Sequence, residues 1–172
     1  MTQRIFGIVG WKNSGKTTLT VKLIAELTRR GYRVSSVKHA HHSFDIDHEG
    51  TDSHRHRMAG AGETAIVSAH RWALMHEGDG ENEPPLSAIL ARLAPCDIVL
   101  IEGYKRDDHT KIEARRLDAK DQKPMTGWID NIVAVAADHD AKTAGLPLFA
   151  LDDIAAVADF VEAETGLAAP AP

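Results

Sequence analysis

The stretch Gly10-Trp11-Lys12-Asn13-Ser14-Gly15-Lys16-Thr17 constrains this chain more than any other. It fits the spacing G-x-x-x-x-G-K-[ST] and stands between a short β-prone run, Ile5–Val9, and an amphipathic period in which Leu19, Leu23, Ile24 and Leu27 share one face. A strand that enters a helix through such a loop turns backbone N–H groups inward around one point and directs the positive end of the helix dipole at it. That arrangement holds a phosphate, with Lys16 as a mobile cation for the β- and γ-phosphates and Thr17 as a Mg²⁺ ligand. The alternative is a glycine-rich turn with an incidental lysine.

Charge points the same way. The net charge of −5 argues against a nucleic-acid coat or an anionic membrane surface as the main partner. Eight basic side chains against Glu26 alone put +7 on residues 1–38 and leave −12 for the rest, which suits a small anion near the N-terminus. The single cysteine, Cys96, excludes an internal disulfide framework and a four-thiolate zinc site. No run approaches the roughly 18 apolar residues of a membrane span, so a cytoplasmic protein is expected.

The remaining pattern alternates strands and helices. Gly31 sits where a helix ends, and Arg33–Lys38 reads as a second strand, making the opening unit βαβ and parallel. A short helix is expected from Asp52, as its cap, to Ala59. Thr64–Ser68 and Arg71–His76 read as a tight strand pair that adds an antiparallel edge, and Leu86, Ile89, Leu90 and Leu93 as a helix face. Strands follow at Asp97–Ile101, Lys111–Arg115 and Ile132–Val135, then a helix from Asp153 to about Ala163. The expectation is one domain over residues 1–166, a three-layer α/β fold around a mostly parallel sheet, with 167–172 a frayed tail.

Three further segments carry chemistry. The apolar run Asp97–Ile101 ends at Glu102 and Gly103; Glu102 is preferred over Asp97 for the magnesium shell, because ligands gather at the C-terminal ends of parallel strands, and Gly103 leaves room for the γ-phosphate. Residues 39–56 hold six of the ten histidines. Three readings stay open there: a Zn²⁺ or Ni²⁺ site, a polar surface loop, or a switch-like loop with Asp45 or Asp47 in the magnesium shell and Arg55 or Arg57 on the anion. The strand from Ile132 delivers Asp138, whose carboxylate suits the guanine N1–H and N2 amine or serves as an ordinary loop aspartate.

Taken together, GWKNSGKTTL at 10–19, KHAHHSFDIDHEGTDSHRHRMAGA at 38–61, and DIVLIEGYK at 97–105 with KIEARR at 111–116 resemble the MobB family of molybdopterin-guanine dinucleotide biosynthesis adaptors. The resemblance spans roughly residues 4–160. It implies a three-layer P-loop NTPase fold of the signal-recognition and MinD-like branch, GTP and Mg²⁺ as cofactors, a homodimer with weak hydrolysis, and a partner guanylyltransferase that attaches GMP to molybdopterin. The nucleotide site then falls on Gly10, Lys12, Asn13, Ser14, Gly15, Lys16, Thr17 and Thr18, with Glu102 and Gly103 near the γ-phosphate. Trp11 stands where many members of the wider branch carry a signature lysine, and is read either as an interface residue or as local packing.

The resulting expectation is a GTP-binding accessory protein of molybdenum cofactor maturation, at most a slow GTPase, with no arginine finger evident in the sequence. A metallochaperone GTPase using His39, His41 and His42 is the second reading, and a small-molecule kinase the third. Lys105, Arg106, Lys111, Arg115 and Arg116 are read either as receptors for an anionic pterin phosphate or as a solvated strand edge.

Overall fold

A computed structural model describes residues 3–40 and 44–168. His41 and His42 therefore lie outside the described residues, as does the tail from 169. The chain divides into two compact units, residues 40–91 and the remainder.

The larger unit is built on a six-stranded, wholly parallel sheet. Its strands are β1 (Ile5–Val9), β2 (Val34–Lys38), β5 (Ile98–Glu102), β6 (Lys111–Arg115), β7 (Ile132–Ala137) and β8 (Leu148–Ala150), in the order β2-β5-β1-β6-β7-β8. β5 separates the two strands of the opening βαβ unit. It is buried along its whole length, as a central strand covered on both faces must be. The strand end is Glu102, one residue beyond the expected Ile101, paired in register with both Ile8 and Lys38.

Helices α1 (Lys16–Arg29) and α4 (Ile154–Thr165) pack together on one face. Leu19, Leu23 and Leu27 of α1 and Val157, Ala158 and Val161 of α4 meet Phe6, Ile8, Leu100 and Ile112 in the main core. Arg30, just past α1, ties the pair together through Glu26, Asp159 and Glu162 at 2.8, 2.6 and 2.9 Å. The α4 helix runs past the expected Ala163 to Thr165. Gly166 then turns with φ 60°, and Leu167, expected in a frayed tail, folds back into the core with its N–H on the Glu162 carbonyl. Val9 points to the opposite face, since strand side chains alternate. There an irregular segment brings Met125 and Ile129 onto Val9 and Ile132, and among the described residues no helix of this unit joins that cluster.

The smaller unit holds α2 (Asp52–Met58), α3 (Leu86–Leu90) and the antiparallel pair β3 (Glu63–Val67) and β4 (Trp72–His76). The pair forms as its own two-stranded sheet; it does not extend the edge of the six-stranded one. The α2 cap is Thr51, whose hydroxyl accepts from the His54 N–H, while Asp52 is the first helical residue and favours the dipole there.

Candidate functional site

The loop between β1 and α1 must reverse direction in six residues, and Gly10 makes this possible. A Cβ there would stand 2.3 Å from the Ser14 hydroxyl and 2.6 Å from the Ala114 carbonyl oxygen, so no larger residue fits. Asn13 takes a left-handed φ of 65°, and the Ser14 N–H turns back to the Trp11 carbonyl at 3.2 Å. Lys12 and Asn13 are exposed, Ser14 is buried, and Thr17 and Thr18 start the exposed side of α1. A shallow cavity runs along residues 13–18 and is closed on one side by Arg116.

Two charged groups of opposite sign meet at the mouth of the loop. The Lys16 ammonium donates to the Trp11 carbonyl at 2.6 Å, and burial holds its pKa below the ordinary lysine value, with Glu102 acting in the opposite sense and Lys105 and Lys38 adding to the depression. The Thr17 hydroxyl donates to Glu102 Oε1 at 2.8 Å, and Lys38 Nζ lies 3.9 Å from the same oxygen. Sequence reasoning chose Glu102 because it ends its strand, and the sheet order brings that end beside the loop. Gly103 follows with φ 98°, where a Cβ would press to 2.8 Å from the His39 Cβ. A threonine hydroxyl and a buried carboxylate within hydrogen-bond reach are a donor set of hard oxygens, which fits a magnesium ion. Asp97, by contrast, anchors the start of β5, accepting from the Arg33 N–H at 2.7 Å and pairing with its guanidinium at 3.0 Å.

Trp11 packs within its own chain. Its ring stacks on Trp128 at 5.7 Å, its Nε1–H donates to the Lys123 carbonyl at 2.7 Å, and Lys105 Nζ sits 4.7 Å above it.

The basic set after β5 separates into distinct roles. Lys111 is fully buried, donating to the carbonyls of Asp107 and His109. Arg115 is buried against Glu113 at 2.6 Å and the Lys142 carbonyl at 2.6 Å. Neither lies on a solvated edge. Arg116 does reach the phosphate loop, its Cδ 3.2 Å from where a Gly15 Cβ would stand. The sequence put Arg55 or Arg57 on the anion and Arg116 with a pterin phosphate or the strand edge, since the adjacency of Arg116 to the loop depends on β6 lying beside β1.

A second cavity, of about 690 Å³, begins at Gly15 and Thr18 and extends past the ends of β7 and β8, with Asp138, Leu151 and Asp152 on its wall. Asp138 reaches it, but Oδ1 accepts from the Leu117 N–H at 3.0 Å and faces His139 Nδ1 at 2.9 Å, while Oδ2 meets Arg116 Nε at 3.3 Å. The neighbouring His139, then Leu117 and Arg116, hold its pKa below the usual carboxylate range. β8 was missed in the sequence because three residues, Leu148–Ala150, are too few to show alternation.

In the smaller unit, Asp47 is buried and both of its oxygens face Arg57. The same guanidinium binds Asp45 at 2.9 Å and Glu77 at 3.2 Å, so three carboxylates surround it. Among the described residues no three histidine, cysteine or acidic side chains gather as a transition metal would require. Likewise, none of the described helices is long and apolar enough to cross a membrane.

Comparison with known proteins agrees with the geometry. The family model MobB, described as molybdopterin guanine dinucleotide synthesis protein B, matches residues 5–138. The chain is 38% identical over 160 residues to the molybdopterin-guanine dinucleotide biosynthesis adapter protein of Escherichia coli (strain K12), covering 91% of this chain and 90% of that one. It is 36% identical over 164 residues to the Haemophilus influenzae protein of the same name, covering 92% and 87%. Among solved structures, Bacillus subtilis MobB aligns with a TM-score of 0.73 at 26% identity over 94% of this chain and 98% of that one. The MobB homolog of Bacillus stearothermophilus aligns at 0.69 and 28% identity, over 95% and 99%. These matches support the adapter reading of the sequence over metal delivery. With its phosphate loop, its parallel sheet and relatives that match over nearly their full length, the chain belongs to the MobB family.

Proposed function

We propose that the protein binds GTP with Mg²⁺ on the Gly10–Thr18 loop and acts as an accessory in molybdopterin guanine dinucleotide biosynthesis, assisting the guanylyltransferase that attaches GMP to molybdopterin. The observation that carries the reading is the 2.8 Å contact between Thr17 and Glu102 beside the Lys16 ammonium. Thr17 and Glu102 would hold the magnesium ion, which supplies charge neutralisation of the phosphates when bound. Lys16, Arg116 and the inward loop N–H groups would orient the triphosphate. The adapter role rests on the family and on the names of its relatives in E. coli and H. influenzae.

The test is calorimetry on Lys16→Ala. GTP affinity should be lost while the circular dichroism spectrum and melting temperature stay near those of the parent. Undiminished affinity in a folded variant would remove the loop as the nucleotide site. A pull-down of a guanylyltransferase, with and without GTP, then tests the adapter role.

A further inference from the structure

Asp138 and Asp152 both face the cavity that leads away from the phosphate loop, and their surroundings differ. Each oxygen of Asp138 already has a partner: the Leu117 N–H and His139 at Oδ1, Arg116 at Oδ2. Those contacts fasten the chain leaving β6 to the end of β7. Arg116, the residue that borders the phosphate loop, is one of the fastened groups. To accept from both guanine donors side by side, Asp138 would have to give up at least one of the two contacts on Oδ1. Asp152 also lines the cavity, exposed just past β8, and its carboxylate has no hydrogen bond or ion pair among the described residues. Only its backbone carbonyl is engaged, accepting from the Ile154 N–H at 2.9 Å. Leu151, directly before it, reaches back to within 3.0 Å of a Cβ placed on Gly15. Asp152 is thereby tied to the same wall as the phosphate loop.

A free carboxylate offers two acceptors side by side, matched to the N1–H and N2 amine of guanine, and the adenine edge presents an acceptor at N1 instead. We propose that Asp152 is the residue that selects guanine, and that Asp138 is a positioning residue which holds Arg116 at the phosphate loop. This rests on the reading of the loop as a GTP site. A purine reaching from Thr18 into the cavity would put its Watson–Crick edge toward the β8 wall.

The experiment is calorimetric binding of GTP, XTP and ATP with Mg²⁺ to the full chain and to D152N, D138N and K16A. In D152N the amide donates where the carboxylate accepted, which suits the C2 carbonyl of xanthine and not the guanine amine. GTP affinity should fall at least tenfold and XTP affinity should rise above it. D138N should weaken GTP and XTP alike with no exchange of preference. Unchanged GTP binding in D152N, a loss of GTP with no gain of XTP, or an exchange seen in D138N instead would each overturn the assignment. Retained nucleotide affinity in K16A would count against the loop itself, a failure separate from that of Asp152.

Discussion

Glu113 is 1% exposed, and both of its oxygens are used: Oε2 accepts from Arg115 at 2.6 Å and Oε1 from the Met125 N–H at 2.9 Å. Glu113→Ala would strip both at once. Arg115 would keep only the Lys142 carbonyl at 2.6 Å and the Thr126 hydroxyl at 3.3 Å, and its Nε is already buried without a partner. Breaking a buried ion pair from one side costs about 3–5 kcal/mol. The orphaned Met125 N–H costs about 1–3 kcal/mol by itself, overlapping with the first loss because both groups relax into one cavity. A total of about 4 kcal/mol follows, and with a urea slope of about 2 kcal/mol/M the unfolding midpoint should drop by about 2 M. Urea titration followed by circular dichroism reads this directly. The double variant E113L/R115M, which removes both charges together, should recover much of the loss. A midpoint shift in Glu113→Ala below about 0.5 M, or a double variant as unstable as the single, would refute the argument that an unpaired buried guanidinium sets the cost.

Gly10→Ala should lower the melting temperature by about 4 °C or more, because the added Cβ meets the Ser14 hydroxyl and Ala114 carbonyl at 2.3 and 2.6 Å and costs at least about 2 kcal/mol. A variant that melts with the parent would show that the loop relaxes freely. Burial, with the Lys111 charge second, brings the His109 pKa down to about 4 from 6.5, so the unfolded chain takes up the proton first as pH falls. Stability should therefore decline between about pH 6.5 and 4, and melting curves across that window should flatten in His109→Gln; parallel profiles for the two proteins would sink the assignment.

What the sequence revealed depended on how local the determinant is. The loop from Gly10 to Thr17 and the helix after it are set by neighbours within a few residues, so spacing and periodicity located them. Glu102 was legible because a strand end is visible from the chain itself, although its contact with Thr17 needed β5 to lie beside β1. Arg116 was read only as a pterin-phosphate receptor or a strand-edge charge, and Asp152 was not singled out, since their positions beside the phosphate loop follow from β6 and β8 taking particular places in the sheet. Lys111 and Arg115 misled for another reason. Charged residues are usually exposed, but here backbone carbonyls and Glu113 pair with them inside the sheet. The antiparallel pair was readable from its alternation, whereas its separation from the main sheet was not.

The stack of Trp11 on Trp128 gives the protein a spectroscopic property. Of the three tryptophans in the chain, Trp72 is exposed and the other two lie with ring centroids 5.7 Å apart. Indoles this close couple their electronic transitions, so the pair should produce an exciton signature in circular dichroism that Trp72 does not contribute. One member of that pair belongs to the phosphate loop, and its backbone carbonyl holds the Lys16 ammonium. A ligand that draws Lys16 away from Trp11 frees that carbonyl, so a change in the exciton band on adding nucleotide is the expected optical signal of the loop.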